Sequence, residues 1–530
     1  MLNLATSTRG VVAAPHSLAV ETGRSILAEG GNAWEAMIAM AATIAVTYPH
    51  MNGIGGDAFW VVREPDGRVA YIEACGPAGQ GATINAYENA GFDAVPARGP
   101  LGAATVAGAV SGWEKAQEGA RMAGGRLPLD VLLSDAIGHA RDGYRVSAGQ
   151  AGNQPKLRDS LFAAPGFADH YLTDGKLAGA GETLKQPALA ATLDQLSRAG
   201  LRDFYRGDVG REMAADLERI GSPVTRDDLR RYEARFRDPL TVRLKLGQVW
   251  NAQPPTQGLA ALMILGIAEQ LDLGRMDGVD FVHGLVEATK RAFLVRDRFI
   301  TDPRDLDHDP ASFLTPERLA SEAAKVVRDR ALPWPAAEGE GDTVWLGAID
   351  GQGRAVSYIQ SIYWEWGSGC VLPKTGVVWQ NRGAGFSMDR RSHNRLAPGR
   401  MPFHTLNPPV AALKDGRVVT YGSHGGDGQP QTQAAIFARY AGFGASIEQA
   451  ITAPRWRLGR AWGDAETSLK MEPRFEGELL DEMLRRGHEV DMLDEPFSSE
   501  TGHAGMIVWH PDGRIEGMHD PRADGGALGA

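Results

Sequence analysis

Thr343 stands where the texture of the chain changes. Ahead of it runs ALPWPAAEGEGD, residues 331–342, rich in Pro, Gly and acid and expected to be an exposed, mobile stretch at which a chain can be cut. Behind it, TVWLGAID reads as a strand. A threonine hydroxyl is a poor nucleophile near neutral pH, but a cut between Asp342 and Thr343 would set it beside its own free α-amine. Such an amine titrates at about 7.7 to 8.0 and can take the hydroxyl proton without further tuning. Taken alone, Thr343 reads more readily as a residue that merely opens a strand.

The surrounding elements follow from hydrophobic period and turn residues. Ser17–Glu29, closed by Gly30 and Gly31, and Asn32 to about Thr47 read as helices, the second apolar nearly all round and therefore buried. It leads into HMNGIGGDAFWVV, a glycine loop and a strand, with DGR at Asp66–Arg68 turning into VAYIEA. Residues 127–330 read as mainly helical. After Thr343 come a hairpin, TVWLGAID and AVSYIQSIYW about GQGR, then GVVWQN, PPVAALKDGRVVTYGS and AGMIVWHPDGRIEGMHD as further strands. Strands thus occupy both ends, with helices between and around them.

The chain has 530 residues, 43% hydrophobic and 23% charged, enough for a large core and too little biased for disorder. Its formal charge of -11, with Lys and Arg scattered, gives no stripe for a phosphate backbone, so nucleic acid is excluded as a partner. Cys75 and Cys370 are too few for a disulfide framework and read as buried small hydrophobes, with a single bridge left open. No basic leader with a long apolar run and no 18-residue apolar stretch is visible, so the expectation is a soluble cytoplasmic protein without a membrane partner. A Walker loop and HExxH are missing, and GIGGDA lacks the strand-GxGxxG-helix setting, so neither a cofactor nor a metal is expected.

From Thr343 to Ser387 the order of Thr, Asp350, Gly351–Gly353, AVS, Gly367 and Gly369, Gly376, Asn381 and FS resembles the small-subunit start of γ-glutamyltranspeptidases. The likeness extends to VAAPHSLAVETGRSILAEGGNAWEAMIAMAATIAVTYPHMNGIGGDAF, NAQPPTQG, HGLVEATKRAFLVRDRFITDP and the closing HDPRADGGALG. It implies the α/β fold of that family, a four-layer αββα Ntn-hydrolase sandwich made of two chains from one precursor. Residues 1–342 would form the large subunit, with a helical middle, and 343–530 the small one, the two staying associated as one structural unit. It implies Thr343 as nucleophile, Ser361 in place of a second threonine that hydrogen-bonds it, and Gly425 and Gly426, in YGSHGGDGQP, as oxyanion hole. Two glycine amides close to a tetrahedral intermediate would stabilise its charge. A glycine turn and a polar strand face remain the plainer readings of these residues.

Departures from the family bear on substrate. Its carboxylate-gripping arginine is matched to Ile72, its amine-binding acid to Gly385, its asparagine to Tyr363, its glutamine to Arg382 and its paired serines to His404 and Thr405. Losing those groups makes glutathione a doubtful substrate. In their place stand Tyr363, Trp364, Arg382, His404 and Thr405, with His424 beside the glycine loop; a scaffold salt bridge for Arg382 and structural roles for both histidines stay open. A planar guanidinium suits a carboxylate close to the scissile bond. The pattern resembles the oxamate amidohydrolase branch of purine-nitrogen catabolism, which implies cleavage of a small anionic amide through an acyl-threonine. Alternatives are a γ-glutamyltransferase or glutathione hydrolase, a β-lactam side-chain acylase, or an uncut homologue that only binds. A homo-oligomer is left open.

Overall fold

The computed structural model describes residues 4–153, 158–334, 342–459 and 467–530. Two seven-stranded antiparallel sheets form its centre. In chain order their strands are β1 (Ala5–Ser7), β2 (Gly10–Ala14), β3 (Asp57–Arg63), β4 (Val69–Ala74), β5 (Arg235–Arg237), β6 (Leu240–Leu244) and β7 (Gly247–Asn251). After the change of texture come β8 (Asp342–Asp350), β9 (Ala355–Tyr363), β10 (Val410–Leu413), β11 (Val418–Ser423), β12 (Ala504–Trp509), β13 (Ile515–His519) and β14 (Gly526–Gly529). The first sheet runs β14-β2-β8-β9-β3-β4-β5 and the second β1-β13-β12-β11-β10-β7-β6. Thr343 therefore begins a central strand, not an edge.

Side-chain alternation sorts the layers. Along β8, Val344, Leu346 and Ala348 join a core with α1 (Ser17–Ala28), α2 (Ala33–Thr47), α3 (Ala109–Met122) and α4 (Leu129–Asp142). Trp345 and Ile349 point the other way, between the sheets, where they meet Val410, Val418, Ile507 and Ile515. The outer face of the second sheet packs Val419, Tyr421 and Met506 on α5 (Gly258–Ala268), α6 (Val279–Phe299) and α7 (Gly428–Phe437). Helix, sheet, sheet, helix is thus the four-layer αββα sandwich expected from the sequence. The Trp345 indole lies across Gly422 of β11 and Gly505 of β12, at each of which a Cβ would overlap the ring.

Helix α2 starts on a capping box between Asn32 and Glu35 and is buried along its whole length. Its Ala33 N–H donates to Asp350 Oδ2 at 3.1 Å, and Arg354 pairs with the same carboxylate at 2.7 Å. The β8–β9 turn is thereby fastened to the helix layer.

Three expectations need correction. Residues 127–330 hold, besides helices, β5, which completes one end of the first sheet, and β6 and β7, which complete one end of the second with Leu240 and Val242 buried. GVVWQN forms only the pair Val377–Val378 with Val371–Leu372. In residues 331–342, Ala331 is buried and Leu332 is hydrogen-bonded through both backbone groups, so this part is anchored; residues 335–341 lie outside those described. Both cysteines are buried and unpaired. Among the described residues no helix is long and apolar enough to cross a membrane.

Candidate active site

Thr343 sits at a register shift. Asp342 pairs with Tyr363 and Val344 with Gln360, so Ser361 and Ile362 together oppose the one residue Thr343, a bulge that releases it from the ladder. Its hydroxyl, 1% exposed by residue, accepts a hydrogen bond from Gln429 Nε2 at 3.2 Å. Gln429 Oε1 accepts from Asn407 Nδ2 at 3.2 Å, and Asn407 Oδ1 from Asn251 Nδ2 at 3.2 Å. Three amides in series thus fix the orientation of the group that faces the threonine. Ser361, buried across from Thr343, accepts from Tyr363 N–H at 2.8 Å, and Tyr363 takes a φ of +81°, a strained value for a residue with a side chain. The strand ends there, and Trp364 N–H is held by Asn381 Oδ1 at 3.1 Å.

Gly425 (φ +115°) and Gly426 (φ +50°) precede helix α7. Their backbone is turned so that Gly428 N–H donates to Gly425 O at 2.7 Å and Gln429 N–H to Gly426 O at 3.2 Å, and among the described residues neither glycine amide has a protein acceptor. Two free amides at a helix N terminus are a ready anion site. The loop is braced from behind. Gln257 Nε2 donates to Gly426 O at 2.7 Å and to Thr405 O at 2.8 Å, while Arg296 joins Gln257 Oε1 at 3.0 Å and Asp427 at 2.8 and 3.2 Å. His424 lies beside the loop with its ring 4.0 Å from that of His503, and burial pushes it down to about 3, so it is neutral.

Arg382 is buried at 1% exposure. Its guanidinium stacks 3.7 Å above the Tyr363 ring and its Nη2 donates to Thr405 Oγ1 at 3.3 Å, while Nε and Nη1 have no partner among the described residues. Burial pushes it down to about 10, still charged at neutral pH. With Asp57 as a nearby carboxylate but two donors unpartnered among the described residues, this buried cation can take up a further anion.

His404 turns away from that role. Its Nε2 is 3.2 Å from Asp57 Oδ2, its ring packs on Phe59, and burial with the nearby Arg382 holds it well below the usual range. As a neutral imidazole it donates to Asp57, whose other oxygen accepts from Gly76 N, Gly108 N and Gln380 Nε2 at 3.2, 3.0 and 3.1 Å. Burial raises Asp57 to about 7 despite these donors and Arg382.

Ile72 belongs to the core against the helix layer, so its side chain does not reach this site. On β4 the opposite face carries Tyr71, and Glu73 pairs with Arg237 at 3.2 Å, so the strand still contributes no cation here. Gly385 leaves space: a Cβ there would stand 3.8 Å from the Tyr363 hydroxyl.

Gln429, Asn407, Gln257, Arg296, Asp427 and Asp57 were not singled out from sequence. Gln257 and Arg296 lie inside NAQPPTQG and the RDR segment, where their pattern was visible but their target was not. Among the described residues His283, Glu287 and His488 have donor atoms within 4.8 Å of one another. Those atoms are already engaged, His283 Nδ1 with His488 Nε2 at 2.8 Å and Glu287 with Lys290 at 2.8 Å, so the group does not fit a metal as it stands.

The family model for gamma-glutamyltranspeptidase matches residues 19–530. The oxamate amidohydrolase proenzyme of Klebsiella pneumoniae is 51% identical over 99% of both chains. The glutathione hydrolase-like YwrD proenzyme of Bacillus subtilis is 35% identical over 98% of each. The solved cephalosporin acylase of Bacillus halodurans superposes with a TM-score of 0.91 at 29% identity, covering 100% of this chain and 97% of that one.

Proposed function

Because this chain belongs to the gamma-glutamyltranspeptidase family and is an amidohydrolase, we propose that it cuts itself before Thr343 and then hydrolyses a short anionic amide of the oxamate type. In the first reaction the Thr343 hydroxyl adds to the Asp342 carbonyl carbon and its proton passes to the departing nitrogen. The C–N bond breaks, leaving an ester, and water then yields the Asp342 carboxylate and a free Thr343 with hydroxyl and amine. Residues 1–342 and 343–530 become two subunits of one sandwich.

In turnover the α-amine takes the hydroxyl proton as Oγ1 attacks the substrate carbonyl. Gly425 and Gly426 N–H groups receive the oxyanion, and the proton is returned to the nitrogen, which departs as ammonia. Water, deprotonated by the same amine, hydrolyses the acyl-threonine. Arg382 takes the carboxylate next to the reacting carbonyl through the donors it does not use internally. Tyr363 supports the guanidinium face, and Thr405 fixes its edge.

The observation that carries this reading is Arg382: a buried charge with Nε and Nη1 unpartnered among the described residues. Arg382 bonds Thr405, whose carbonyl shares Gln257 with Gly426 of the glycine loop, and a carboxylate attached directly to the amide carbonyl suits a cation so linked to that loop. The buried, unpaired Cys75 and Cys370 fit a reducing compartment, and the cytoplasm is the proposed location. Ammonia release from oxamate, compared with p-nitroaniline release from γ-glutamyl-p-nitroanilide, tests the substrate. Faster turnover of oxamate supports it; preference for the γ-glutamyl compound replaces it with the transpeptidase reading.

A further inference from the structure

Helix α6 carries His283, Glu287, Lys290 and Phe293 at helical spacing, and all four contact the segment from Val327 to Trp334 that leads toward Thr343. His283 Nε2 is 2.9 Å from Val327 O, and Ala331 N–H donates to Arg486 O at 2.7 Å. Leu332 is gripped at both backbone groups. Its N–H donates to Glu287 Oε2 at 3.0 Å and its carbonyl accepts from Lys290 Nζ at 2.7 Å. Glu287 and Lys290 are 2.8 Å apart and each is 2% exposed.

An ion pair this deep has a desolvation cost that apolar residues of similar size would not have, so stability alone is a poor account of it. What the pair does that apolar residues could not is hold one peptide unit in one place. The same helix leads on to the glycine loop. Trp334 neighbours Phe293, with ring centroids 6.1 Å apart, and the Arg296 guanidinium lies 3.7 Å from the Phe293 ring. Arg296 in turn holds Asp427 and, through Gln257, Gly426.

We infer that Glu287 and Lys290 are positioning residues for self-cleavage: they clasp Leu332 so that the chain ahead of the scissile bond is tethered to the helix that also braces the glycine loop. This rests on the self-cleavage reading above. A tether fixed at Leu332 restricts the directions from which the chain can enter Thr343, and so favours the orientation of the Asp342 carbonyl that the neighbouring hydroxyl needs for attack. Once the chain is cut, the clasp has no part in amide hydrolysis.

Two variants test it. Glu287→Gln with Lys290→Met removes both charges together and strands neither, and Leu332→Pro deletes the N–H that Glu287 accepts, together with the leucyl side chain and rotation about φ. Freshly made full-length chain is followed by denaturing gel, with ammonia release normalised to the amount of cut chain and Tm measured alongside. The expected result in both variants is self-cleavage slowed about tenfold or more, with turnover per cut molecule within about twofold of wild type. Cleavage at the wild-type rate in a folded variant overturns the clasp, as does a loss of turnover per cut molecule equal to the loss in cleavage. If the double variant does not fold, Leu332→Pro alone decides. Thr343→Ala separates the two levels: if it is cut like wild type, self-cleavage by Thr343 fails, whereas an uncut Thr343→Ala beside fast-cutting clasp variants removes only the clasp.

Discussion

Gln429 donates from Nε2 to the hydroxyl of Thr343 at 3.2 Å, and it can do so in one orientation because Asn407 Nδ2 occupies its carbonyl oxygen. An acceptor role for the threonine oxygen leaves the hydroxyl proton free to point elsewhere, toward the α-amine that a cut would create. Gln429→Ala should therefore lower kcat about tenfold with little change in KM, the loss of one orienting hydrogen bond. Equal kcat in the folded variant would show that Gln429 merely packs.

Thr343→Ala should remain a single chain on a denaturing gel, while wild type separates into fragments whose sequencing begins at Met1 and Thr343. A cut at another bond would move the nucleophile elsewhere.

At Gly425 the φ of +115° is closed to ordinary side chains, so Gly425→Val must displace the amide that would face the oxyanion. The expected result is a fall in kcat of about a hundredfold or more with KM nearly kept, since the donor acts on the transition state. Unchanged kcat at unchanged Tm would make the loop a simple turn.

Arg382→Gln removes the charge and keeps a polar side chain. Losing a charge-assisted contact of about 1.5 to 3 kcal/mol should raise KM for a short anionic amide roughly ten- to a hundredfold. Uncharged amides should be little affected. Wild-type KM for the anionic substrate in this variant would assign Arg382 to the scaffold.

Burial pushes His50 and His424 down to about 3 and His519 down to about 4. Their folded-state values are depressed, so the unfolded chain binds protons that the folded one does not, and stability rises with pH through this window. Each group should cost about 1.4 kcal/mol per pH unit as pH falls from about 6.5 toward its folded value. Calorimetric Tm at constant ionic strength should hold near pH 7.5 and fall steeply below about 6.5. A flat profile down to pH 5 would mean these imidazoles are charged in the fold.

The sandwich was legible because sheets write themselves in alternation and turns: TVWLGAID and AVSYIQSIYW around GQGR could hardly be anything but a hairpin. The short strands Arg235–Arg237 and Leu240–Leu244 were less so, since such brief runs amid helices carry little periodic signal. Ile72 illustrates a finer limit. On a strand, one position of register decides which face a side chain takes, and a match by motif alone does not fix that parity. Arg296 and Asp427, a buried pair at 2.8 Å, are far apart in the chain, so neither residue announces its partner. Arg382 was visible by its type, but its unspent donors are a property of the packed interior.

Trp345 gives the nucleophile's strand an index. Its indole, between the sheets, occupies the clearance that Gly422 and Gly505 provide on the facing sheet. The two glycines thus key the ring, and with it β8, against the facing sheet. Thr343 is two residues from that ring, and the depth at which its hydroxyl is offered is thereby set from the opposite sheet before any cut is made.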